Sequence, residues 1–228
     1  MSSLLLALAL AALPAVVLIW YFYHLDKARS EPIGLILRSV LYGFVAVIPA
    51  AGIEFGIGAL VPPPGGALGV LFEAFVIAGL VEESVKLYFV RRYIFIRPEF
   101  NERTDGIIYA ICVSLGFAFI ENFIYGHDVP SILFVRAFTA VPGHAVFSGV
   151  MGYYVGMAKL EEGRAGAWKR GLFWAVLLHG LYDALLMAGG PASYLVIPLL
   201  IFGWRLLKRL FAKAQAADSE RLGGGRGL

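Results

Sequence analysis

Seven stretches of this chain stay apolar for about twenty residues at a time, and no other property narrows the fold as much. They run Leu4–Tyr23, Ile33–Ala51, Leu68–Val90, Gly106–Tyr125, Val135–Ala158, Gly171–Ala188 and Tyr194–Phe211. Barrel strands would alternate apolar and polar residues, and these do not. In lipid every backbone N–H and C=O needs a partner within the segment, so each stretch is expected to be a helix. The expected fold class is all-α, a polytopic transmembrane helical bundle of about seven helices. Residues 1–213 are read as one helical domain and 214–228 as a disordered cytoplasmic tail. The composition agrees: 60% of residues are apolar and 15% charged, where a soluble domain carries about a quarter charged.

Charge decides orientation. Lys27 and Arg29 follow the first stretch, and Arg91, Arg92, Arg97 and Arg103 follow the third. Lys159, Arg164, Lys169 and Arg170 follow the fifth, and Arg205, Lys208, Arg209 and Lys213 crowd the last. The alternate connections carry no basic residue except Arg136. Basic loops stay cytoplasmic, so the N-terminus is expected outside and the C-terminus inside the cell membrane. The same argument removes nucleic acid as a partner, because the net charge of +3 marks topology. The first stretch continues past the length of a signal-peptide core and has no basic residue before it, so a retained helix is expected. Val61–Gly66, with three prolines, reads as a stiff external loop. Pro142–Gly143 should kink or interrupt the fifth span, leaving Ile132–Val141 as a partial or re-entrant segment.

Ionisable residues inside a membrane are costly and point to function by default. Spans three to six collect them: Glu73, Glu82, Glu83 and Lys86; then Glu121 and Asn122; then Arg136 and His144; then His179 and Asp183. Glu54 stands near the outer end of span two. Glu82 and Lys86 are four apart and share a helix face, so they are expected to pair. Glu83 then needs a partner from another helix. Gly116 and Ala118 permit a close helix neighbour. His179 and Asp183 are also four apart, and a carboxylate there can hold the imidazole tautomer. Buried carboxylates with imidazoles suit general-base work on a water, with or without a metal. Cys112 lacks polar company, His24 and His127 sit at loops, and no zinc-protease His-Glu-x-x-His motif or serine nucleophile motif is present. Two other classes use the same residues: a proton-coupled transporter or channel, which needs a polar path between both faces, and a non-enzymatic scaffold, which needs every charge paired.

The ordered set Glu82–Glu83–x–x–Lys86, Asp105–Gly106–Ile107–Ile108–Tyr109, Gly116–Phe117–Ala118–x–x–Glu121–Asn122, Tyr125, Arg136, His144 and His179–Gly180–x–x–Asp183 resembles the PrsW family of intramembrane proteases, within the wider group that includes CAAX-prenyl endopeptidases. The resemblance covers residues 82–183. It implies hydrolysis of peptide bonds in membrane-associated proteins or peptides, with the family's glutamates at Glu82, Glu83 and Glu121 and its histidines at His144 and His179. Either glutamate of the pair is then a candidate base. His144, His179 and Glu121 either ligate a divalent metal, for which zinc suits the donors best, or hold the water directly. Asp183 would orient His179, and Asn122 would donate toward the oxyanion. A straight-helix reckoning raises one difficulty: Glu82 and Glu121 fall roughly 10 Å or more apart in depth. Substrate identity and oligomeric state are not legible in the sequence.

The one-sided distribution of Lys and Arg is checked with reporter fusions. A fusion after Arg209 should read cytoplasmic and one in the Pro62–Pro64 loop external. The opposite pair of signals would reverse the assignment.

Overall fold

In the computed structural model, residues 3–26, 30–126 and 129–224 are described. Among them every regular element is helical: α1 (Ser3–Leu25), α2 (Ile33–Leu60), α3 (Gly66–Phe72), α4 (Val81–Phe89), α5 (Arg103–Gly126), α6 (Pro130–Phe138), α7 (Ala140–Leu160), α8 (Trp168–Ala188) and α9 (Val196–Gly224). Five helical stretches are long and apolar enough to cross a membrane: Leu5–Leu25, Ile33–Leu60, Arg103–Gly126, Ser131–Leu160 and Trp168–Ala188. The other two expected spans are helical as well. The third runs unbroken through α3, a π-helical stretch Glu73–Leu80, α4 and a second π-helical stretch Val90–Ile94, and the seventh is α9. His127 lies outside the described residues.

α5 is the centre of the bundle. Of its most apolar window 72% is buried by other helices, against 22% for α1. A helix can be this enclosed only if its neighbours approach closely, and small residues make that possible. At the α5–α7 crossing, a Cβ on Gly152 would lie 2.2 Å from the carbonyl oxygen of Gly106. At the α2–α5 crossing, a Cβ on Gly116 would lie 2.2 Å from the carbonyl oxygen of Val40. The close neighbour expected of Gly116 is therefore α2.

The expected break in span five falls at Thr139 (φ −121°, ψ −64°), between α6 and α7. Pro142 itself occupies the first turn of α7. A proline is tolerated there, because its missing N–H would have no partner, while its ring clashes with the carbonyl four residues back. That carbonyl belongs to Phe138, the last residue of α6.

One expectation is corrected. The tail beginning at residue 214 is not irregular as far as Gly224: it continues α9 and packs. Ala214 is buried, and the Gln215 amide donates to the Leu25 carbonyl at 2.6 Å. Buried Asp218 caps α5, accepting from the backbone N–H of Arg103 (2.8 Å) and Thr104 (3.0 Å) and from the Thr104 hydroxyl (2.8 Å). A carboxylate at a helix N-terminus satisfies orphan donors and the helix dipole together. Residues 225–228 lie outside the described residues.

The Asp105–Tyr109 motif also serves this end of the bundle. Asp105 accepts from the backbone N–H of Asn101 and Glu102, both at 2.7 Å, and the Tyr109 hydroxyl donates to Glu31 in the link before α2. Glu31 lies outside the spans, and burial raises its pKa above the usual carboxylate value. The motif thus ties α5 to α2.

Gly152→Ala should open the α5–α7 crossing at a cost of about 1–3 kcal/mol or more, read as a lower Tm in detergent. Gly56→Ala, where an added Cβ meets nothing within 4 Å, should leave Tm unchanged.

Candidate active site

The ionisable residues of spans three to six, Glu73 apart, meet with Asn122 in one cluster. Its middle is Lys86, fully buried on α4. The Lys86 ammonium donates to Glu82 Oε2 and Glu83 Oε1, both at 2.9 Å, and lies 3.2 Å from His144 Nδ1. It also sits over the Phe117 ring, 4.2 Å from the centroid. The Glu82–Lys86 pair is the one expected from i,i+4 spacing. Glu83 takes the same ammonium from the i,i+3 position, which that reading had not assigned to it.

Glu83 is fully buried and heavily engaged. Besides Lys86, its Oε1 lies 3.1 Å from His179 Nδ1, and its Oε2 accepts from the Ser148 hydroxyl at 2.8 Å. The partners expected from other helices are therefore α8 and α7. Ser148 was missed by sequence reasoning; the available signal was its place four residues after His144 on one face of α7. Glu82 differs. Its Oε2 is held by Lys86, and its side chain keeps 10% of its surface exposed. Its Oε1 accepts no hydrogen bond among the described residues.

A lysine ammonium can only donate, so it meets a lone pair on His144 Nδ1. The ring proton is then on Nε2, which donates to Glu121 Oε2 at 2.8 Å. The other oxygen of Glu121 accepts from Arg136 Nη2 at 2.6 Å, and Arg136 Nε donates to Asn122 Oδ1, also at 2.6 Å. The Asn122 Nδ2 group is buried and has no partner among the described residues. His179 lies between Glu83 and Asp183, whose Oδ2 is 3.2 Å from Nε2. Phe147 stacks on the same ring at 5.0 Å between centroids. Glu73, on the π-helical stretch, belongs to none of these contacts.

The depth difficulty is resolved by side-chain direction. Each Cα–Cβ bond tilts toward its own helix N-terminus. Span three and α5 are consecutive and antiparallel, so Glu82 and Glu121 lean toward each other. Two long side chains and the π-helical turns of span three close the remaining distance. Ligand atoms of Glu82, Glu121 and His144 all lie within 4.8 Å of one another, as do those of Glu82, Glu83 and His179. The set His144, His179 and Glu121, expected from sequence as metal ligands, is thus divided between two triads that share Glu82. The histidine rings themselves are 5.5 Å apart between centroids.

The charges suit a cation. Counted as ionised and with both histidines neutral, Glu82, Glu83, Glu121 and Asp183 exceed the two permanent cations, Lys86 and Arg136, by two negative charges. Two protons or one divalent ion would balance it, and the donors of either triad could hold a metal ion. Beside this cluster, an apolar groove of about 460 Å³ runs between α2 and span three, lined by Pro49, Ile53, Val81, Val85 and Tyr88.

Comparison with known proteins matches this arrangement to a chemistry. Residues 31–205 match the model of the PrsW family intramembrane metalloproteases. The chain is 35% identical over 209 residues to the protease PrsW of Bacillus subtilis, covering 90% of this chain and 94% of that protein. It is 35% identical over 218 residues to the protease PrsW of Geobacillus kaustophilus, covering 89% and 92%. It is 32% identical over 212 residues to that of Clostridioides difficile, covering 86% of each. No solved structure matches. With three quarters of its length matched and a buried glutamate–histidine cluster at the motif positions, the chain belongs to the PrsW family of intramembrane metalloproteases.

Proposed function

We propose that this protein cleaves peptide bonds of membrane-associated proteins, and that Glu82 activates the attacking water. The observation that carries this is the convergence of Glu82, Glu121 and His144 in a buried cluster where Glu82 alone of the Glu82–Glu83 pair keeps an oxygen free of hydrogen bonds. A base needs an open lone pair within reach of water. Glu83 spends its oxygens on Lys86, His179 and Ser148, so its work is to hold Lys86 and His179 in place.

In this reading Glu82 Oε1 takes a proton from water as the water oxygen bonds to the scissile carbonyl carbon. Asn122 Nδ2 donates to the developing oxyanion, with Arg136 fixing the amide through Oδ1. Glu82 then passes its proton to the leaving amine as the C–N bond breaks. Asp183 orients His179 from the side opposite Glu83. Where a divalent metal is bound, Glu82, Glu121 and His144, with Glu83 and His179 alongside, are the residues that would hold it, and it supplies Lewis acidity toward carbonyl and water. To hold a cation, His144 would have to give up the ring proton it now donates to Glu121, so metal uptake should release a proton. The basic loops place the N-terminus outside and the C-terminus in the cytoplasm, with substrate arriving from the bilayer.

Three variants compared at equal amounts of folded protein test the assignment, with one quantitative peptide-cleavage assay. Glu82→Gln should insert and fold normally and lose cleavage. Asp183→Asn still accepts a hydrogen bond, and should keep cleavage within about 10–100-fold of the parent. His179→Ala should lose it. Equal inactivity of folded Asp183→Asn and Glu82→Gln would move Asp183 to the reacting atoms.

Metal is tested on its own. Purified protein should hold about one divalent ion, zinc being the expected identity, released by His144→Ala combined with His179→Ala and bound more weakly as pH falls. Thoroughly chelated protein that retains full activity would leave the direct glutamate–water route.

A further inference from the structure

A second group of acids lies at the opposite end of α5 from Glu121. Asp26 follows α1, Glu31 precedes α2, and Asp105 stands in the first turn of α5. Asp105 and Glu121 are 16 residues apart, about 24 Å along a helix, so this group is separate from the reacting cluster. One oxygen from each of the three acids lies within 4.8 Å of the other two. All three residues are buried, Asp105 completely.

The hydrogen-bond donors at this corner are already used. Asp218 takes the backbone N–H groups of Arg103 and Thr104, and Asp105 Oδ2 takes those of Asn101 and Glu102. The Tyr109 hydroxyl goes to Glu31 Oε2. Lys159 is close enough to feel the charge of Asp105, but its ammonium donates to the carbonyls of Phe95 and Arg97. Asp105 Oδ1 is left buried with no hydrogen bond among the described residues. The carboxyl groups of Asp105 and Glu31 nonetheless stand within hydrogen-bonding reach of each other. Carboxylates this close, with a third converging on them, repel unless positive charge lies between them. Glu102 adds to the repulsion at Glu31. A shared proton cancels one charge of three. A divalent ion cancels two and gives Oδ1 a direct partner.

We infer that Asp26, Glu31 and Asp105 form a second metal site, one for a hard divalent cation of the magnesium or calcium type, in addition to any ion in the reacting cluster. The donors are all oxygen, without the imidazoles of that cluster, which favours these ions over zinc. Bound there, the ion joins the end of α1, the start of α2 and the first turn of α5. Its way in is short, because Asp26 and Glu31 lie in the link between α1 and α2 and keep 8% and 5% of their surface exposed. It fixes the base of the helix whose far end carries Glu121 and Asn122.

The test uses the full chain in detergent, stripped with a chelator and dialysed. Magnesium chloride and calcium chloride are added in separate titrations, each against potassium chloride of equal ionic strength, and Tm is followed. At least one of the two divalent ions should raise Tm by about 4 °C or more and saturate, while potassium should not. The salt with the lower half-saturation identifies the preferred ion. Glu31→Gln can still accept from Tyr109 but carries no charge, and should shift half-saturation about tenfold or more upward. Glu82→Gln, in the reacting cluster, should leave half-saturation where it is. If Glu31→Gln does not fold, Asp26→Asn at the rim of the group takes its place with the same expectation. No rise with either ion overturns the inference. So does a rise that Glu31→Gln keeps and Glu82→Gln loses, which would put the ion in the reacting cluster. A Tm that climbs as pH falls but ignores both ions also overturns it, and leaves a shared proton between Glu31 and Asp105.

Discussion

A single buried ammonium organises the interior of this protein. Lys86 touches two carboxylates and an imidazole and is itself fully buried. Two glutamates side by side in a membrane helix would repel each other and lose their hydration. With Lys86 between them, each has a counter-charge at 2.9 Å. Removing Lys86 would leave both carboxylates without that counter-charge, at a cost of about 3–5 kcal/mol. The ammonium also acts as a directional device. Because it can only donate, it sets the His144 tautomer, and that tautomer turns Nε2 toward Glu121. The contacts around Glu121, Arg136 and Asn122 follow from this choice.

The division of labour between adjacent glutamates has the same origin. Glu82 and Glu83 differ by one residue, about 100° around the helix. That rotation carries Glu83 toward Ser148 and His179, where its oxygens are taken up, and leaves one oxygen of Glu82 without a hydrogen bond among the described residues. Chemically identical side chains thus differ in how much of their hydrogen-bonding capacity is taken up, through what surrounds them. The glycine crossings at Gly106–Gly152 and Gly116–Val40 belong to the same design, because helices held apart by bulkier residues would not bring α7 close enough to α5 for His144 to reach Glu121 on one side and Lys86 on the other.

Much of this was legible from residue types and spacing alone. The helical spans follow from the length of the apolar runs, since the bilayer leaves the backbone no alternative. The members of the cluster follow from the cost of ionisable groups in lipid, which makes each one conspicuous. Local pairs such as Glu82–Lys86 and His179–Asp183 follow from helix geometry. Contacts between distant segments have no such local signature. Ser148 is an ordinary small polar residue until it faces Glu83. Asp218 looked like part of a solvated tail until it capped a helix that begins 115 residues earlier.

The sequence by itself determined that the chain spans the membrane as helices, which residues must find polar partners there, and which family it belongs to. The reason is energetic: in hydrocarbon, unsatisfied polar groups are too costly to be incidental. Only the tertiary structure decided which partners they find. It turned Glu82 and Glu121 toward each other across antiparallel helices, divided the expected metal ligands between two triads around Glu82, and left one Glu82 oxygen without a hydrogen bond among the described residues. Those outcomes depend on how helices rotate and cross, which glycines and packing set across segments far apart in the chain.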